Sequence, residues 1–331
     1  MQETNGMEPA MPGGMPVDAD AIDPGHASVL ASEAVDALMP RPGGVFVDGT
    51  FGGGGHARLL IERIQPGGRI ICIDRDASTC PHFDTLDRAH PGALIWAQGT
   101  YSDMRRFAQE AGVQQVDGVL LDLGLSSLQL ADAERGFSFL REGPLDMRFD
   151  TTRGVSAADL LAQLTEPELA RVLFEYGEES QARRIARAVV RERKREPIAT
   201  TTRLAGIVQR AIGQRPGSRI HPATRTFQAL RIAVNDELGE VERGVAAGID
   251  LLAPRGRFAV ISFHSLEDRI VKRAFAAAAR GCVCPREAPV CVCGREPAVR
   301  LVGRATRPSA GETERNPRAR SAMLRVVERL S

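Results

Sequence analysis

The sequence has almost no net charge and no long apolar run. Its 43 Lys and Arg residues face 42 Asp and Glu residues, a formal net charge of +1 over 331 residues. Overall positive charge is therefore excluded as a source of nucleic-acid affinity, which must come from local clusters. No apolar run approaches the roughly 20 residues that a membrane-spanning helix needs. The first residues also lack the basic and apolar regions of a secretory signal. We therefore expect a cytoplasmic protein without membrane association.

Cysteine is sparse outside one short segment. Of six cysteines, four fall between residues 282 and 293: Cys282, Cys284, Cys291 and Cys293. In a reducing compartment, such crowding suggests a metal more than a disulfide framework. Their C-x-C-x₆-C-x-C spacing is tighter within each pair than the x₂ to x₄ of most zinc sites. We therefore favour reduced loop thiols, with structural zinc as the alternative, and expect no catalytic metal.

Glycine is concentrated where a strand pattern turns into a helix pattern. The run Val45-Phe-Val47 ends in Asp48, five of the next seven residues are glycine, and a helical apolar spacing begins at Ala57. Residues without Cβ atoms at such a turn leave backbone N–H groups facing a crevice that a flat or anionic ligand can approach closely. The stretch predicts a nucleotide-like cofactor site.

Further strand patterns end in acids as well. Residues 69–74 and 116–122 are near-continuous apolar runs that end in Asp74 and Asp122, and residues 94–96 form a weaker strand pattern between them. Such strands alternating with helical segments predict a parallel sheet covered on both faces. The carboxyl ends of parallel strands meet at one edge, so Asp48, Asp74 and Asp122 should line one crevice.

The pattern also divides the chain. Residues 1–24 lack periodicity and predict a disordered tail. Residues 25–130 and 221–331 carry the strand patterns of one α/β domain, whereas residues 131–220 are mostly helical in period and predict a helical insertion. In the last part we expect one long helix from about 222 to 252, a strand over 257–263, a helix capped by Ser265, and a final strand over 322–327.

The glycines alone do not decide the cofactor. Gly52, Gly54 and Ala57 fit G-x-G-x-x-A, and Asp74 lies twenty residues past Gly54, as in dinucleotide-binding proteins. Asp48, directly before the turn, would repel a pyrophosphate but favour a cationic amino-acid tail. S-adenosylmethionine carries a sulfonium and an ammonium and no phosphate, so we favour it over a nicotinamide cofactor.

Eight motifs in this chain resemble, in order, those of the MraW (RsmH) family. They cover about residues 25–331 and are Asp48-Gly-Thr-Phe-Gly-Gly-Gly-Gly-His56, Ile73-Asp-Arg-Asp76, Leu121-Asp-Leu-Gly-Leu-Ser-Ser127, Glu134-Arg-Gly-Phe-Ser-Phe139, Pro144-Leu-Asp-Met-Arg148, His221-Pro-Ala-Thr-Arg-Thr-Phe227, Ile261-Ser-Phe-His-Ser-Leu-Glu-Asp-Arg269 and Asn316-Pro-Arg-Ala-Arg-Ser321. The resemblance implies a Rossmann-like class I methyltransferase with a helical inserted domain. It also implies methyl transfer from S-adenosylmethionine to the N(4) amine of one cytidine in the decoding region of 16S ribosomal RNA.

Carried over by position, the family's cofactor contacts fall on seven residues: Gly54, Gly55, His56, Asp74, Tyr101, Asp122 and Gln129. Some have structural alternatives. Asp74 and Asp122 could cap the helices that follow them. His56 could be a helix N-terminal residue whose side chain donates to a carbonyl, with only its backbone in contact with the cofactor. The Tyr101 ring could simply line the core.

The sequence offers several candidates for the proton acceptor, because this chain lacks the (D/N/S)-P-P-(Y/F/W) loop that many amino-methyltransferases use. At that place stands Asp122-Leu-Gly-Leu-Ser-Ser127. We take Asp122 as the first candidate, with Ser126 or Ser127 next. His264, at the end of a strand pattern, is a further candidate, with a hydrogen-bonded turn residue as its alternative.

RNA contact is predicted for the insertion. Residues 181–195 contain seven basic residues against one acid, and five of the basic residues share one helical stripe: Arg184, Arg187, Arg191, Lys194 and Arg195. A solvated helix face is the ordinary meaning of such a run, but an RNA substrate favours phosphate binding. Arginines between 300 and 320 could form a second basic edge.

Two other functions remain open at this point: a nicotinamide-dependent oxidoreductase, and a non-catalytic RNA-binding factor of ribosome assembly that kept the fold. The sequence leaves open whether the substrate is naked 16S rRNA or an assembled small subunit. It is also compatible with a homodimer.

Overall fold

A seven-stranded sheet forms the centre of the computed structural model, which describes residues 28–214, 221–282, 284, 290 and 292–330. Its strands are β1 (Val45–Asp48), β2 (Arg69–Asp74), β3 (Leu94–Gln98), β4 (Val116–Asp122), β5 (Leu252–Ser262), β6 (Val299–Leu301) and β7 (Met323–Arg329). The order across the sheet is β3-β2-β1-β4-β5-β7-β6. Neighbours from β3 to β5 are parallel, and β7 runs antiparallel to both β5 and β6.

The strand order places a ligand crevice beside β1. The chain runs outward from β1 to β3 and then returns to the other side of β1 as β4, so the direction of winding reverses there. Ligands of open α/β sheets bind outside the carboxyl ends of the strands at such a switch point. The predicted α/β, Rossmann-like class is confirmed.

Thirteen helices accompany the sheet in the described residues. They are α1 (Ala31–Ala37), α2 (Gly55–Ile64), α3 (Cys80–Ala89), α4 (Met104–Glu110), α5 (Ser127–Ala131), α6 (Ala157–Gln163), α7 (Glu166–Gly177), α8 (Ala182–Arg193), α9 (Thr201–Ile212), α10 (Thr224–Asn235), α11 (Glu237–Leu251), α12 (Ser265–Ala278) and α13 (Ala310–Arg315). Short 3₁₀ helices span Ala77–Thr79, Tyr101–Asp103, Ala133–Arg135 and Pro317–Ser321. In this part of the chain, no helix has the length and apolar content needed to span a membrane.

Each face of the sheet has its own hydrophobic core. Phe46 and Leu120 pack with α1, α2 and α3, whereas their sequence neighbours Val47 and Leu121 pack with α4, α11 and α12. Successive side chains of a strand point to opposite faces, so a continuous apolar run supplies both cores. Covering helices on both sides hold the strand ends, and the acids on them, in fixed positions.

A third core lies among the helices between β4 and β5. Apolar residues four apart, such as Leu169 and Leu173 on α7 or Ile185 and Val189 on α8, are buried against α9 and α10. The cluster extends to Leu230 on α10. The domain limits at 130 and 220 stay predictions, and the tail over 1–24 lies outside the described residues.

The single helix expected from 222 to 252 is wrong, because Asp236 adopts a left-handed backbone (φ +50°) between α10 and α11. The neighbouring Asn235 side chain donates to Met147 O at 2.7 Å and accepts from Phe149 N at 2.8 Å. A buried Arg231–Glu237 pair at 2.7 Å spans the break. These polar contacts fix the corner and attach the loop around residue 148 to the end of α10.

Two features near the C-terminus differ from the sequence expectation. The strand expected over 257–263 begins earlier, at Leu252, and the short strand β6 was not expected. The final strand is present, but it inserts antiparallel between β5 and β6. Apolar periodicity carries no information on strand direction, which follows from the connection between strands.

Candidate active site

The glycine turn between β1 and α2 borders open space. Gly52 and Gly54 have left-handed backbones (φ +53° and +76°). A Cβ at Gly54 would lie 2.8 Å from Phe51 Cζ, and one at Gly55 would collide with Ser28 Oγ. A Cβ at Gly53 would meet nothing within 4 Å. Gly54 and Gly55, two predicted cofactor contacts, are thus required for close packing, and the backbone before them is accessible to a ligand.

Asp48 is buried at the end of β1 with one oxygen unpaired. Its side chain is 1% exposed, and Oδ1 accepts a hydrogen bond from Thr50 N at 3.2 Å. Oδ2 has no hydrogen-bond partner among the described residues. Burial, with a smaller contribution from the charge of Asp74, raises the pKa of Asp48 to about 7. This carboxyl group is therefore suited to a cationic partner.

Asp74, at the end of β2, holds the glycine turn through a hydrogen bond. Its Oδ2 accepts from Gly52 N at 2.7 Å, and its Oδ1 accepts from Asp76 N at 2.9 Å. The following 3₁₀ helix is capped instead by Asp76, which accepts from Ser78 N. Burial raises the pKa of Asp74 to about 6 despite these hydrogen bonds. Asp74 is thus part of the crevice and does not serve as the helix cap.

Asp122 lies at the end of β4, next to β1. Its backbone N donates to Thr50 Oγ1 at 2.7 Å. Its Oδ1 is buried and lacks a hydrogen-bond partner in the described part of the chain. Its Oδ2 lies 3.8 Å from His56 Nδ1. Burial and the nearby Asp48 hold the pKa of Asp122 well above its ordinary value. Two adjacent strand ends thus each present an unpaired carboxylate oxygen.

His56 faces Asp122 as a neutral base. Its Nε2 lies 3.1 Å from Val29 O, and because a carbonyl only accepts hydrogen bonds, Nε2 carries the proton. Burial lowers the pKa of His56 to about 4, so the ring is neutral at pH 7. Nδ1 therefore presents its lone pair toward Asp122.

Tyr101 and Gln129 are each held in place by a neighbouring element. The Tyr101 ring packs so closely on α11 that a Cβ at Gly244 would collide with it. Gln129 is buried on α5, and its Nε2 donates to Asp76 Oδ2 at 2.9 Å. Both predicted cofactor contacts are thus held rigidly by neighbouring residues.

Ser126 and His264 both act as helix caps. Ser126 Oγ accepts from Gln129 N at 3.2 Å and forms a capping box at the start of α5. His264 Nδ1 accepts from Glu267 N at 3.4 Å, and its Nε2 lies 3.0 Å from Glu267 Oε1. The expected Ser265 cap of α12 is therefore wrong, because His264 fills that position. A role of Ser126 or His264 as proton acceptor stays a prediction.

No role was predicted from the sequence for Asp76 or Arg135. Their contact connects the crevice to the helical region between β4 and β5. Arg135 Nη1 donates to Asp76 Oδ2 at 2.6 Å, and its Nη2 donates to the carbonyls of Arg148 and Phe149. Hydrogen bonds from Gln129, Ser78 and Arg135 hold the pKa of Asp76 below its usual value against the effect of burial. Both residues lie in motifs that carried the family resemblance, but contacts across 59 positions are not visible in a sequence.

The predicted basic stripe lies on the outer face of α8 and just beyond its end. All five of its residues are exposed: Arg184, Arg187, Arg191, Lys194 and Arg195. Arg187 pairs with Glu166 at 3.5 Å, and Arg191 and Arg195 both approach Glu192, at 3.3 and 3.5 Å. Such surface pairs contribute little to stability, so phosphates can replace the carboxylates at low cost.

Known proteins are similar to this chain in sequence over nearly its whole length. A sequence model of the MraW methylase family matches residues 23–330. The ribosomal RNA small subunit methyltransferase H of Thermomicrobium roseum is 50% identical over 94% of this chain and 96% of its own length. The protein of the same name from Geobacter sulfurreducens is 52% identical over 92% and 99%. A solved rRNA methylase from Streptococcus thermophilus aligns with a TM-score of 0.40 at 8% identity, covering 91% and 94% of the two chains. The family match and the two sequence relatives favour neither an oxidoreductase nor a non-catalytic factor.

Proposed function

This chain belongs to the MraW methylase family, and we propose that it transfers a methyl group from S-adenosylmethionine to the N(4) exocyclic amine of a cytidine in the decoding region of 16S rRNA. The relatives, about half identical over nearly their whole length, are named as methyltransferases of small-subunit ribosomal RNA. The choice of the cytidine amine rests on the motif resemblance.

The observation that carries the proposal is the pair of unpaired carboxylate oxygens, Asp48 Oδ2 and Asp122 Oδ1. A buried carboxylate without a partner is unfavourable unless a cation approaches or a proton binds. A ligand with an ammonium and a sulfonium would supply such a cation. A pyrophosphate would meet the same carboxylates with repulsion, which argues against a nicotinamide cofactor.

The residues of the crevice fit the remaining parts of S-adenosylmethionine. Each oxygen of Asp74 accepts one backbone hydrogen bond. A carboxylate has about four acceptor positions, so capacity remains for the two ribose hydroxyls. The face of Tyr101 suits the adenine ring. We assign Gly54, Gly55, His56 and Gln129 to the same cofactor site, where their positions are fixed by packing and hydrogen bonds.

When bound, S-adenosylmethionine supplies an electrophilic methyl group on a cationic sulfur. The cytosine amine is a poor nucleophile because its lone pair is delocalised into the ring. An acceptor that takes a hydrogen of this amine therefore aids the attack. We assign this role to Asp122, whose Oδ1 is unpaired at the end of β4.

The helical region would hold the RNA. A base inside a helix cannot reach a crevice of this kind and has to be single-stranded or turned out of its stack. We propose that the α8 stripe binds phosphates on either side of the target. The Arg135 contacts with the backbone of residues 148 and 149 would then fix this region relative to Asp76 and the cofactor.

Location and assembly form the finer part of the proposal. A substrate in the small ribosomal subunit places the reaction in the cytoplasm. A homodimer stays a prediction, which sedimentation of the purified protein at several concentrations would test.

The decisive experiment uses small subunits from a strain that lacks this protein. They are incubated with the purified full chain and isotopically labelled S-adenosylmethionine, and the digested rRNA is analysed by mass spectrometry. We expect label in N(4)-methylated cytidine from a decoding-region fragment. Label in any other nucleoside would overturn the substrate assignment. Absence of label in these subunits, and in naked 16S rRNA incubated in the same way, would overturn the proposed activity.

A further inference from the structure

The segment between α12 and β6 is long, and its described residues from 280 to 297 belong to none of the three hydrophobic cores. Its two ends are joined where Ala298 N donates to Ala278 O at 2.9 Å. The described residues between these ends form neither helix nor strand. Val290 and Val292 are 70% and 88% exposed. Segments that cannot bury apolar surface are commonly held by disulfides or metal ions.

Three thiols of this segment converge. The Sγ atoms of Cys282, Cys284 and Cys293 all lie within 4.8 Å of one another. Cys282 and Cys293, eleven positions apart, approach to 3.8 Å. Tetrahedral zinc with Zn–S bonds of about 2.3 Å separates its sulfur ligands by roughly 3.8 Å, so this pair already has the spacing of two zinc ligands.

The backbone also favours a thiolate at this place. Cys284 N lies 3.4 Å from Cys282 Sγ and donates a hydrogen bond to it. Backbone N–H groups directed at a sulfur stabilise its anionic form, which is the form that binds metal. Tight C-x-C spacing, which weighed against zinc in the sequence, is what allows this contact two positions along the chain.

We propose that Cys282, Cys284 and Cys293 bind a structural Zn²⁺ ion that cross-links the segment between α12 and β6. Thiolate ligands select soft or borderline metals, and a compact sulfur set favours tetrahedral zinc. The proposal takes up structural zinc, which the sequence left as the alternative to reduced loop thiols. Cys291 lies outside the described residues, and the proposal does not require it. The ion has no part in methyl transfer, so the proposal is independent of the proposed function.

Metal content of the full-length protein tests the site. The protein is expressed with zinc, purified in a phosphine reductant and dialysed against a weak chelator before elemental analysis. We expect about one zinc per chain in the wild type and less than about a tenth of that in each of Cys282→Ser, Cys284→Ser and Cys293→Ser. Cys80→Ser, which removes a partly exposed thiol elsewhere, is the matched control and should retain zinc.

A second measurement does not depend on the folding of the variants. Cobalt added to the zinc-free wild type should give the intense near-ultraviolet band of thiolate-to-cobalt charge transfer. It should also slow proteolysis between residues 279 and 297. Absence of both effects, a zinc-free wild type, zinc retained in all three variants, or a disulfide between cluster cysteines in the reduced preparation would each overturn the proposal.

Discussion

The carboxyl edge of the sheet carries buried acidic side chains, whereas the outer face of α8 carries exposed basic side chains. At the sheet edge, Asp48 is 1% exposed and has an oxygen without a partner. On α8, Arg187 and Arg191 side chains are 74% and 63% exposed and are paired with carboxylates at the surface. Desolvation dominates the first region and raises carboxyl pKa values. Solvent screens the second and leaves its ion pairs exchangeable.

The difference explains how a chain with a net charge of +1 can serve two ligands of opposite charge. A few buried acids suffice to attract a small cation, because burial strengthens each electrostatic interaction. A polyanion needs many exposed cations, because each contact in water is weak. The net charge sums the whole chain, so it does not reveal the local charge of either region. Substitutions in one region should therefore leave the ligand of the other region unaffected.

The largest effect is expected at Asp122. Asp122→Asn keeps the shape but removes the proton acceptor, so kcat for methyl transfer should fall about 10² to 10⁴-fold at saturating cofactor and RNA. RNA affinity should not change. Asp250→Asn, at an exposed acid that pairs with Arg105, is the control and should keep full activity. An Asp122→Asn enzyme within a few-fold of wild type would remove Asp122 from the mechanism.

A smaller effect is expected at Asp48, which acts on binding. Asp48→Asn removes the negative charge that faces the cation, and S-adenosylmethionine affinity measured by calorimetry at pH 7.5 should weaken roughly tenfold to a hundredfold. Binding of RNA fragments should remain at the wild-type level. An unchanged cofactor affinity would show that the unpaired oxygen does not face the donor.

The α8 face should respond in the opposite manner. Replacing Arg184, Arg187 and Arg191 together by Ala should weaken binding of a decoding-region RNA about tenfold at moderate salt. The slope of log affinity against log salt should decrease by about 2, since each lost phosphate contact removes roughly 0.7 to 0.9. Cofactor affinity should not change. Arg105→Ala, an exposed arginine on α4, is the matched control. An unaltered salt slope would assign the stripe to a solvated surface.

The smallest effect is expected at Ser126. Because its hydroxyl is the N-cap of α5, Ser126→Ala should lower the free energy of unfolding by about 1 kcal/mol, measured by denaturant titration, and leave kcat within a few-fold. A hundredfold loss of kcat with unchanged stability would instead make Ser126 the acceptor. Ser309 is the N-cap of α13 and is remote in sequence. Ser309→Ala is therefore the control that shows how much unfolding free energy is lost when a cap without a catalytic role is removed.

The sheet edge was more predictable from sequence than the contacts that surround it. Continuous apolar runs ending in Asp48, Asp74 and Asp122 specify parallel strands, and parallel strands bring their ends together. The pattern could not reveal that Asp74 holds Gly52, or that Arg135 reaches Asp76. Such contacts join residues that are far apart in the sequence and are brought together by the conformation of the loops. The local spacing of residues does not predict this conformation.

Two errors share a physical cause. The break at Asp236 is invisible in periodicity because apolar spacing continues on both sides, while polar contacts of Asn235 and Arg231 fix the corner. The cap of α12 falls on His264, because an imidazole nitrogen accepts the backbone hydrogen bond that a serine hydroxyl usually takes. In both cases, a polar side chain with a distant or unusual partner overrides the local propensity.

The central claim, that buried carboxylates of the sheet edge bind a cationic cofactor, is tested most directly by S-adenosylmethionine affinity against pH. Asp48 has a pKa raised to about 7 and Asp74 one raised to about 6, so both gain protons and lose their charge as the pH falls. Calorimetry should therefore show affinity weakening on the order of tenfold from pH 7.5 to 5.5 in the wild type, and a flatter profile in Asp48→Asn. An affinity that is equal at both pH values, or that increases toward acid, would contradict the account.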